Sequence, residues 1–335
     1  MVLPTGESPI SFSQIRDEFG TVGTDSATAP VRLGQYRRDD SSFTNKNLGE
    51  LTNLPLDTGI PTSGTINVDA FHGKKLNTVI DLYETGSSNY NHNVKTNRFD
   101  AGNYDFVGGY RDSLSPATWQ GGKKLIVHIN NTFGSNGASN VNDVALTIGD
   151  GWPANTDFQI DLGSSAVIAG KGGDGGNGGA GSDSNSGGSN GGNGTSALAL
   201  ETGMTYDAAG GAQIIAGGGG GGGGGGASQD DSSFFGSDFD EAGGGGGGGG
   251  RGLPAGDPGS GGSGGGAAGG SEGSLSAGGN GGGGGDDDES EGRDGGAGGG
   301  AGSAGADGGS TGPGGRNVDG SNGEGGAGGN QIVFF

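Results

Sequence analysis

The sequence predicts a mainly β protein with a non-standard C-terminal half, divided into a repeated module at 1–75, a β-structured domain at 76–169 and a glycine-rich domain at 170–335. Three observations support this prediction. An apolar pattern recurs three times before residue 75, short apolar runs follow it, and 71 of the 91 glycines lie in 171–335. Because ordinary chains contain glycine at about 7%, the last part cannot be an average globular domain.

The N-terminal module repeats the pattern apolar-x-apolar-x-x-apolar. The first two apolar residues suit a short strand and the third suits the first turn of a helix, for which Ser13 and Asp69 are the expected caps. Each copy is too small to bury a core alone, so the copies must pack on one another, on a neighbouring chain or on a larger assembly. We interpret the module as an attachment module, with a small self-contained domain of repeated hairpins as the alternative. The attachment candidates are Ile10, Phe12, Ile15, Val31, Leu33, Tyr36, Ile66, Val68 and Phe71.

The middle of the chain contains short apolar or alternating runs separated by Asn, Gly and Ser, which is typical of strands joined by turns. These runs occupy 78–83, 124–129, 144–148 and 158–162. The apolar residues suffice for one modest core. We expect a small β-sandwich, or a few coils of β-helix leading into the glycine-rich half.

The glycine-rich half contains two unbroken glycine runs, at 217–226 and 243–250, and several shorter tracts. Glycine loses the most backbone entropy on ordering, which favours a disordered linker. However, the tracts have similar lengths, polar loops separate them, and the chain closes with the apolar run 331–335. These features favour a bundle of polyglycine II helices, which hydrogen-bond only to neighbours and which only glycine allows to approach closely.

The tracts resemble those of a known family. The pattern Ile-Ala-Gly-Lys-Gly-Gly-Asp-Gly-Gly-Asn-Gly-Gly at 168–179, the run at 193–201 and Gln-Ile-Ile-Ala at 213–216 are similar to the glycine-rich domain of tailed-phage tail-fibre adhesins and tail-tip attachment proteins. The resemblance covers 143–335. It implies stacked polyglycine II helices whose variable loops recognise host-surface receptors, and the N-terminal repeat also resembles short modules of phage virion proteins. This sequence departs from the adhesin pattern in having acidic loops that are mostly poor in aromatic residues.

Three loops supply the receptor-binding candidates. The loop at 229–241 holds three phenylalanines among acidic residues, so it either recognises a partner or packs internally. The acidic run at 286–294 is either a solvated stretch or a contact for a divalent cation or a basic receptor. We interpret 251–258 primarily as a structural turn at one end of the bundle. The candidates are Asp230, Asp231, Phe234, Phe235, Asp238, Phe239, Arg251, Asp286, Asp287, Asp288 and Arg293.

Charge and motifs argue against other classes. The net charge of −22 repels phosphate backbones, which disfavours nucleic acid and anionic membranes as partners, and no apolar run is long enough to span a membrane. The N-terminus lacks a Sec signal pattern, and the absence of cysteine excludes disulfides and thiolate metal sites. No nucleotide-binding or calcium-repeat motif is sustained, and no spacing singles out a catalytic carboxylate pair.

We therefore expect a non-enzymatic virion protein without metal or cofactor, a tail-fibre or tail-tip adhesin assembled in the host cytoplasm. The N-terminal module would bind other virion proteins, and the C-terminal loops would bind a host-cell receptor. We expect a homo-oligomer, with a trimer favoured. The alternatives are a capsid, neck or tail decoration protein without receptor binding, and an extracellular glycine-rich ice-binding or matrix protein.

Overall fold

The computed structural model describes residues 3–6, 8–19, 33–36, 59–74, 78–82, 91–93, 104–107, 124–137, 143–147, 157–181, 187–200, 204–233, 236–287, 290–309, 318–319 and 321–334. Within these residues, strands predominate and α-helix is confined to one short element. The prediction of a mainly β protein is confirmed.

The three N-terminal repeats share one small core. The first forms helix α1 (Phe12–Phe19), and the others form 3-10 helices at Leu33–Tyr36 and Val68–Phe71. The third apolar residue of every copy, Ile15, Tyr36 or Phe71, is fully buried. The ring of Tyr36 lies edge-on to those of Phe12, at 6.0 Å, and Phe71, at 6.2 Å. Aromatic pairs favour this geometry, so the copies pack on one another.

The helix caps differ from the prediction. Ser11 Oγ accepts the Gln14 N–H at 3.2 Å, and Asn67 Oδ1 accepts the Ala70 N–H at 3.2 Å. The predicted caps Ser13 and Asp69 are wrong because each helix already begins at the second apolar residue of its copy. That residue was expected to close a short strand, which does not form.

The middle of the chain coils through three sheets. The strands are β1 (Thr78–Leu82), β2 (His92–Asn93), β3 (Tyr104–Val107), β4 (Lys124–Ile129), β5 (Thr132–Phe133), β6 (Val144–Thr147), β7 (Asp157–Leu162), β8 (Val167–Ala169), β9 (Ser196–Leu200), β10 (Thr205–Ala208), β11 (Gln213–Ile215) and β17 (Ile332–Phe334). Their orders are β10-β7-β4-β1-β3, β11-β8-β5 and β17-β9-β6-β2. All these neighbours are parallel except β1 and β3.

Successive strands therefore enter the three sheets in turn: β4, β5, β6, then β7, β8, β9, then β10, β11, β17. We call this unit the β-coil. Its parallel pairing differs from the antiparallel pairing of a β-sandwich. The predicted strands at 78–83, 124–129, 144–148 and 158–162 are confirmed within the described residues, and β7 begins one residue earlier than predicted, at Asp157.

The core of the β-coil draws on both halves of the chain. Ile129 and Ile160 pack with Leu198 of β9, and Ile332 of β17 packs against the same cluster. β8 ends at Ala169 and the first glycine tract follows it, but β9, β10, β11 and β17 lie within the glycine-rich half of the chain. The chain leaves the β-coil after β8 and again after β11, and it returns at β9 and finally at β17.

Ten extended glycine-rich segments fill these two excursions within the described residues. Segments 1 to 10 are 170–181, 187–195, 216–226, 243–250, 256–262, 268–274, 278–285, 292–300, 303–309 and 321–330. Their backbone hydrogen bonds run between segments and recur at every third residue: Gly173, Gly176 and Gly179 of segment 1 donate to Gly218, Gly221 and Gly224 of segment 3, each at 2.8 Å.

Segments 3 and 4 lie at the centre and are fully buried. In segment 4, one row of N–H groups donates to segment 1, a second to segment 8 and a third to segment 6, while its carbonyls accept from segments 3, 5 and 7. Segment 3 likewise bonds to segments 1, 2, 4, 8, 9 and 10. Each central segment thus has six bonded neighbours, and these two segments contain the unbroken glycine runs 217–226 and 243–250.

Segments 7, 8 and 10 expose every third residue. In segment 10, residues 323, 326 and 329 are buried, whereas Ser321, Glu324, Ala327 and Asn330 are exposed. The exposed positions of these three segments hold most of their residues other than glycine. A segment at the rim needs glycine only on the two rows that face neighbours, which explains the Gly-Gly-x pattern of segments such as 170–181.

Candidate functional site

The ten segments alternate in direction. Segments 1 and 3 bond in parallel, whereas segment 2 is antiparallel to both, and the alternation continues to segment 10. Segments 1 and 3 both leave the β-coil, so the connections after segments 1, 3, 5, 7 and 9 lie at the end of the bundle away from it. We call this the distal end. The connections after segments 4, 6 and 8 lie at the coil end.

The distal end carries the long connections. The chain between segments 3 and 4 forms a hairpin of β12 (Ala227–Ser233) and β13 (Gly236–Ala242), and that between segments 7 and 8 forms β14 (Asp286–Asp287) and β15 (Ser290–Glu291). β16 (Val318–Asp319) pairs with the base of β12. At the coil end, the turns at 251–255, 275–277 and 301–302 are short.

The register of the 227–242 hairpin gives the residues that lie opposite one another. Asp230 lies opposite Phe239, and Asp231 lies opposite Asp238. The structure therefore places the predicted candidates Asp230, Asp231, Asp238 and Phe239 on paired strands of one hairpin, and it places Asp286 and Asp287 at the same end of the bundle.

Charge is distributed unequally between the two ends. The described distal residues, 227–233, 236–242, 263–267, 286–287, 290–291 and 318–319, contain nine carboxylates and neither lysine nor arginine. The coil-end turns contain Arg251 and no carboxylate. The distal end is therefore the strongly acidic end of the bundle.

Arg293 lies in segment 8 beside the distal end and is partly buried. Its backbone N–H donates to the Gly225 carbonyl at 3.0 Å, and its guanidinium donates to Asn322 Oδ1 at 3.2 Å. Asn322 in turn donates to the carbonyls of Gly308 and Gly309. Arg293 thus links segments 3, 8 and 10, and a structural role accounts for its contacts.

Arg251 lies at the other end of the bundle from the acidic hairpins. Its Nε donates to the Leu275 carbonyl at 2.6 Å, which joins two coil-end turns. In the same turn, the Leu253 carbonyl accepts the Ser135 N–H at 3.0 Å from the β-coil. The structure therefore does not bring Arg251 together with the other receptor-binding candidates. Phe234, Phe235 and Asp288, and the attachment candidate Val31, lie outside the described residues.

The order of the glycine segments along the sequence indicates the end of the bundle at which each loop lies, and the choice of candidate residues did not use it. Because consecutive segments reverse direction, connections alternate between the two ends, and the connection that contains Arg251 follows an even-numbered segment. The same count places Val318 and Asp319 at the distal end, where they pair with β12. Neither residue was among the predicted site residues.

The N-terminal module has a separate concave surface. An open groove of about 580 Å³ lies between the first and third repeats and is lined by Gly6, Pro9, Ile10, Val68, Asp69 and His72. Of the attachment candidates, Ile10 and Val68 line it, whereas Ile15, Tyr36 and Phe71 are buried in the shared core. Phe12 is 36% exposed.

One histidine–carboxylate pair lies in the β-coil. His128 Nδ1 is 2.7 Å from Asp161 Oδ2, and His128 is only 3% exposed. Burial leaves the imidazole out of reach of a substrate. The described residues contain no group of three or more His, Cys, Asp or Glu arranged to hold a metal ion, and none of their helices has the length and apolar character needed to cross a membrane.

No family model matches the chain, and no curated protein sequence matches it. Among solved structures, the chain is similar to the crystal structure of the gp37-gp38 adhesin tip complex of the bacteriophage S16 long tail fiber, with 20% sequence identity and a TM-score of 0.37, over 87% of this chain and 88% of that chain.

Proposed function

We propose that this chain is a non-enzymatic phage virion protein, a tail-fibre or tail-tip adhesin that presents loops at the distal end of a polyglycine II bundle to a receptor on the host cell. The proposal rests on one observation about the connections between segments: the long acidic hairpins emerge at one end of the bundle, whereas the turns at the other end are short. Such sorting is typical of a scaffold that supports a recognition surface.

The hydrogen bonding supports the assignment of the ten segments to polyglycine II helices. A helix of this type has three residues per turn and no internal hydrogen bonds, so its N–H groups form three outward rows. Segment 4 donates from three such rows to three neighbours and accepts from three others. Six neighbours per central helix is the packing that such rows allow, and it satisfies the buried backbone groups.

Rigidity is the purpose that we assign to the glycines. A loop that is already ordered loses less conformational entropy when it binds, which leaves more of the contact energy as affinity. The 227–242 hairpin begins and ends at Ala227 and Ala242, both buried beside the central segments. The hairpin is therefore held at both ends by the best-packed part of the bundle.

The N-terminal module fits the role of attachment to other virion proteins. Its groove between the first and third repeats offers Ile10 and Val68 next to the polar side chains of Asp69 and His72. A concave surface with an apolar part and a polar rim is typical of a protein-binding site. The acidic distal end disfavours nucleic acid and anionic membranes as alternative partners.

Staining of bacterial cells tests the proposal. Because the chain has no cysteine, an Ala304→Cys variant takes a single fluorescent label. Ala304 is an exposed residue of segment 9, outside the 227–242 hairpin. The labelled protein is added to a panel of Gram-negative and Gram-positive cells, alongside a variant in which residues 228–241 are replaced by Asn-Gly. We expect staining of a subset of cells that the replacement abolishes. Staining that persists in the replacement variant removes the 227–242 hairpin from the receptor-binding candidates. The absence of staining across the panel contradicts receptor recognition and favours a decoration protein.

A further inference from the structure

The sequence contains six Asn-Gly pairs, the dipeptide most prone to spontaneous deamidation. In this reaction the backbone nitrogen of the glycine attacks the side-chain amide carbon of the asparagine. Glycine favours the attack because it has no side chain to shield the nitrogen and leaves the backbone free to turn. All six pairs share this reactive sequence, so their surroundings in the fold decide which of them react. The pairs begin at Asn136, Asn177, Asn190, Asn193, Asn280 and Asn322.

Two kinds of contact protect such a pair. The glycine nitrogen becomes a nucleophile only when its N–H loses the proton, and a hydrogen bond from that N–H must open first, as it must in hydrogen exchange. The asparagine side chain must also turn toward the nitrogen, and a hydrogen bond to its amide group holds it back. A pair with both contacts is therefore protected, whereas a pair with neither can react in the folded chain.

The three pairs in segments 1 and 2 have both contacts. In each, the asparagine Oδ1 accepts the N–H of one residue in a neighbouring segment, and the glycine N–H donates to the carbonyl of the same residue. For Asn193 and Gly194 this residue is Ala327, and both bonds are 2.8 Å long. The other two pairs bond in the same way to Glu324 and Ser260.

Two further pairs are held by different partners. At 322–323, the asparagine Nδ2 donates to two carbonyls of segment 9 at 2.9 Å, and the glycine N–H donates to the Gly223 carbonyl at 2.8 Å. At 136–137, the asparagine Oδ1 accepts from the side chain of Asn91, and the glycine N–H donates to Ser135 Oγ at 3.3 Å. Both pairs are therefore protected as well.

The pair of Asn280 and Gly281 in segment 7 differs from the other five. Asn280 is exposed, and its backbone N–H and carbonyl bond to Ser271 Oγ at 2.8 Å and to the Ser271 N–H at 2.9 Å. Within the described part of the chain, neither the Asn280 side chain nor the N–H of the half-buried Gly281 has a hydrogen-bond partner. Both protecting contacts are missing from this pair.

The sequence of segment 8 explains why the contact to Gly281 is missing. Gly284, three residues further along the same row of segment 7, donates its N–H to Asp294 Oδ1 at 2.9 Å. Segments 7 and 8 are antiparallel, so the residue that faces Gly281 in the equivalent way lies three positions after Asp294. That residue is Ala297, whose side chain has no acceptor.

We infer that Asn280 is a site of spontaneous deamidation in the folded protein and that the fold protects the other five pairs. The Gly281 nitrogen loses its proton to base and bonds to Asn280 Cγ, the Cγ–Nδ2 bond breaks, and ammonia leaves with a proton from water. A second water then opens the five-membered imide at either carbonyl, which gives aspartate or isoaspartate. The inference does not depend on receptor recognition.

The isoaspartate product alters the bundle. Isoaspartate carries the main chain through its side-chain carbons, so it lengthens the backbone by one methylene group. The insertion falls between Gly279 and Gly282, whose N–H groups donate to carbonyls of segment 4 at 2.7 and 2.8 Å. The three-residue spacing of these bonds is broken there, and segment 7 loosens on the side that leads to the distal hairpin at 286–291.

Mass spectrometry of the full chain tests the inference. The protein is incubated in mildly alkaline buffer, folded in one sample and in denaturant in another, and fragmentation locates each gain of about 1 Da that marks a deamidated asparagine. In the folded sample, Asn280 should convert at least about tenfold faster than any of the other five, because their reaction requires local opening. In denaturant, all six should convert at similar rates. A folded chain in which Asn280 converts no faster than the other five overturns the inference.

A pair of variants tests the physical reason. Ala297→Asp offers the Gly281 N–H an acceptor, and it should slow conversion of Asn280 about fivefold or more. The matched control is Ala304→Asp, which adds the same charge at another exposed alanine followed by glycine, on segment 9. Its conversion rate should equal that of the unmodified chain. Equal rates in the two variants overturn the assignment of the reaction to the unprotected N–H of Gly281.

Discussion

The position of a glycine within the three-residue repeat decides whether a side chain can replace its hydrogen. At Gly247 in segment 4, an added Cβ would overlap the carbonyl oxygen of Gly221, which is backbone and cannot turn aside. At Gly283 on the outer row of segment 7, the nearest atom would be Asp294 Oδ1 at 3.8 Å, an ordinary contact. The two glycines belong to similar tracts and have opposite tolerance.

We predict that Gly247→Ala lowers the free energy of unfolding by about 3 kcal/mol or more, because the segments must separate to admit the methyl group. Gly283→Ala should change it by less than about 1 kcal/mol, with some stabilisation from the stiffer unfolded chain. Denaturant unfolding of the two variants measures the difference. Equal effects at the two positions would be incompatible with the packing of segment 4.

Side chains of the outer rows supply the hydrogen bonds that an absent neighbour would have supplied. Asn193 Oδ1 accepts the Ala327 N–H at 2.8 Å, and Asn190 Oδ1 accepts the Glu324 N–H at 2.9 Å. On segment 1, Asn177 Oδ1 accepts the Ser260 N–H at 2.9 Å. Some x positions of the Gly-Gly-x pattern therefore hold short side chains whose oxygen accepts a backbone N–H group. Composition alone does not show that these side chains have this role.

Removal of one such acceptor should cost about 1 kcal/mol of stability, the usual net contribution of a hydrogen bond. We predict this loss for Asn193→Ala and little loss for Asn193→Asp, which keeps an acceptor oxygen in the same place. Thermal unfolding of the two variants provides the comparison. If the aspartate variant loses as much as the alanine variant, the hydrogen bond to Ala327 is not the reason for asparagine here.

The strands of the β-coil show how far local pattern determines an element. The runs at 78–83 and 124–129 are apolar and β-branched, and both are strands.

The helix starts were misplaced because Ser11 and Asn67 compete with equally suitable polar residues two positions later. The two longest glycine runs are recognisable as central from sequence, since only a segment surrounded on all sides needs glycine in all three rows.

The 227–242 hairpin should be dispensable for folding. Ala227 and Ala242 form the first pair of the ladder, so a two-residue Asn-Gly turn can join them with the geometry of a tight hairpin. We predict that replacing residues 228–241 in this way changes the melting temperature by only a few degrees. A melting temperature lower by about 15 °C or more would mean that the hairpin is part of the core of the bundle instead of a loop on it.

The whole chain is held together by its last strand. Ile332 of β17 pairs with Leu198 of β9, although 134 positions separate them, and β17 closes the turn that β10 and β11 begin. No local pattern links 196–200 to 332–334, and a single sequence carries no pairing information across the eight intervening segments. This is why the three sheets, and the strands that the glycine-rich half contributes to them, were not predicted, although the apolar run at 331–335 was recognised.

Deletion of residues 331–335 should therefore affect the β-coil and the bundle together. We predict a loss of at least about 2 kcal/mol in the free energy of unfolding, from the burial of Ile332 and the backbone bonds of β17. Far-ultraviolet circular dichroism during denaturant unfolding measures it. Unfolding identical to that of the full chain would show that β17 does not close the coil.

The central claim is that the glycine-rich half is an ordered bundle that displays loops at its distal end. Hydrogen–deuterium exchange across 171–335 tests it most directly, because exchange reports the opening of each backbone hydrogen bond. The structure predicts the slowest exchange at 217–226 and 243–250, intermediate exchange in the outer segments and fast exchange at the tips of the distal hairpins. Uniformly fast exchange through the glycine runs would contradict the bundle and, with it, the proposal that the loops are held rigid for recognition.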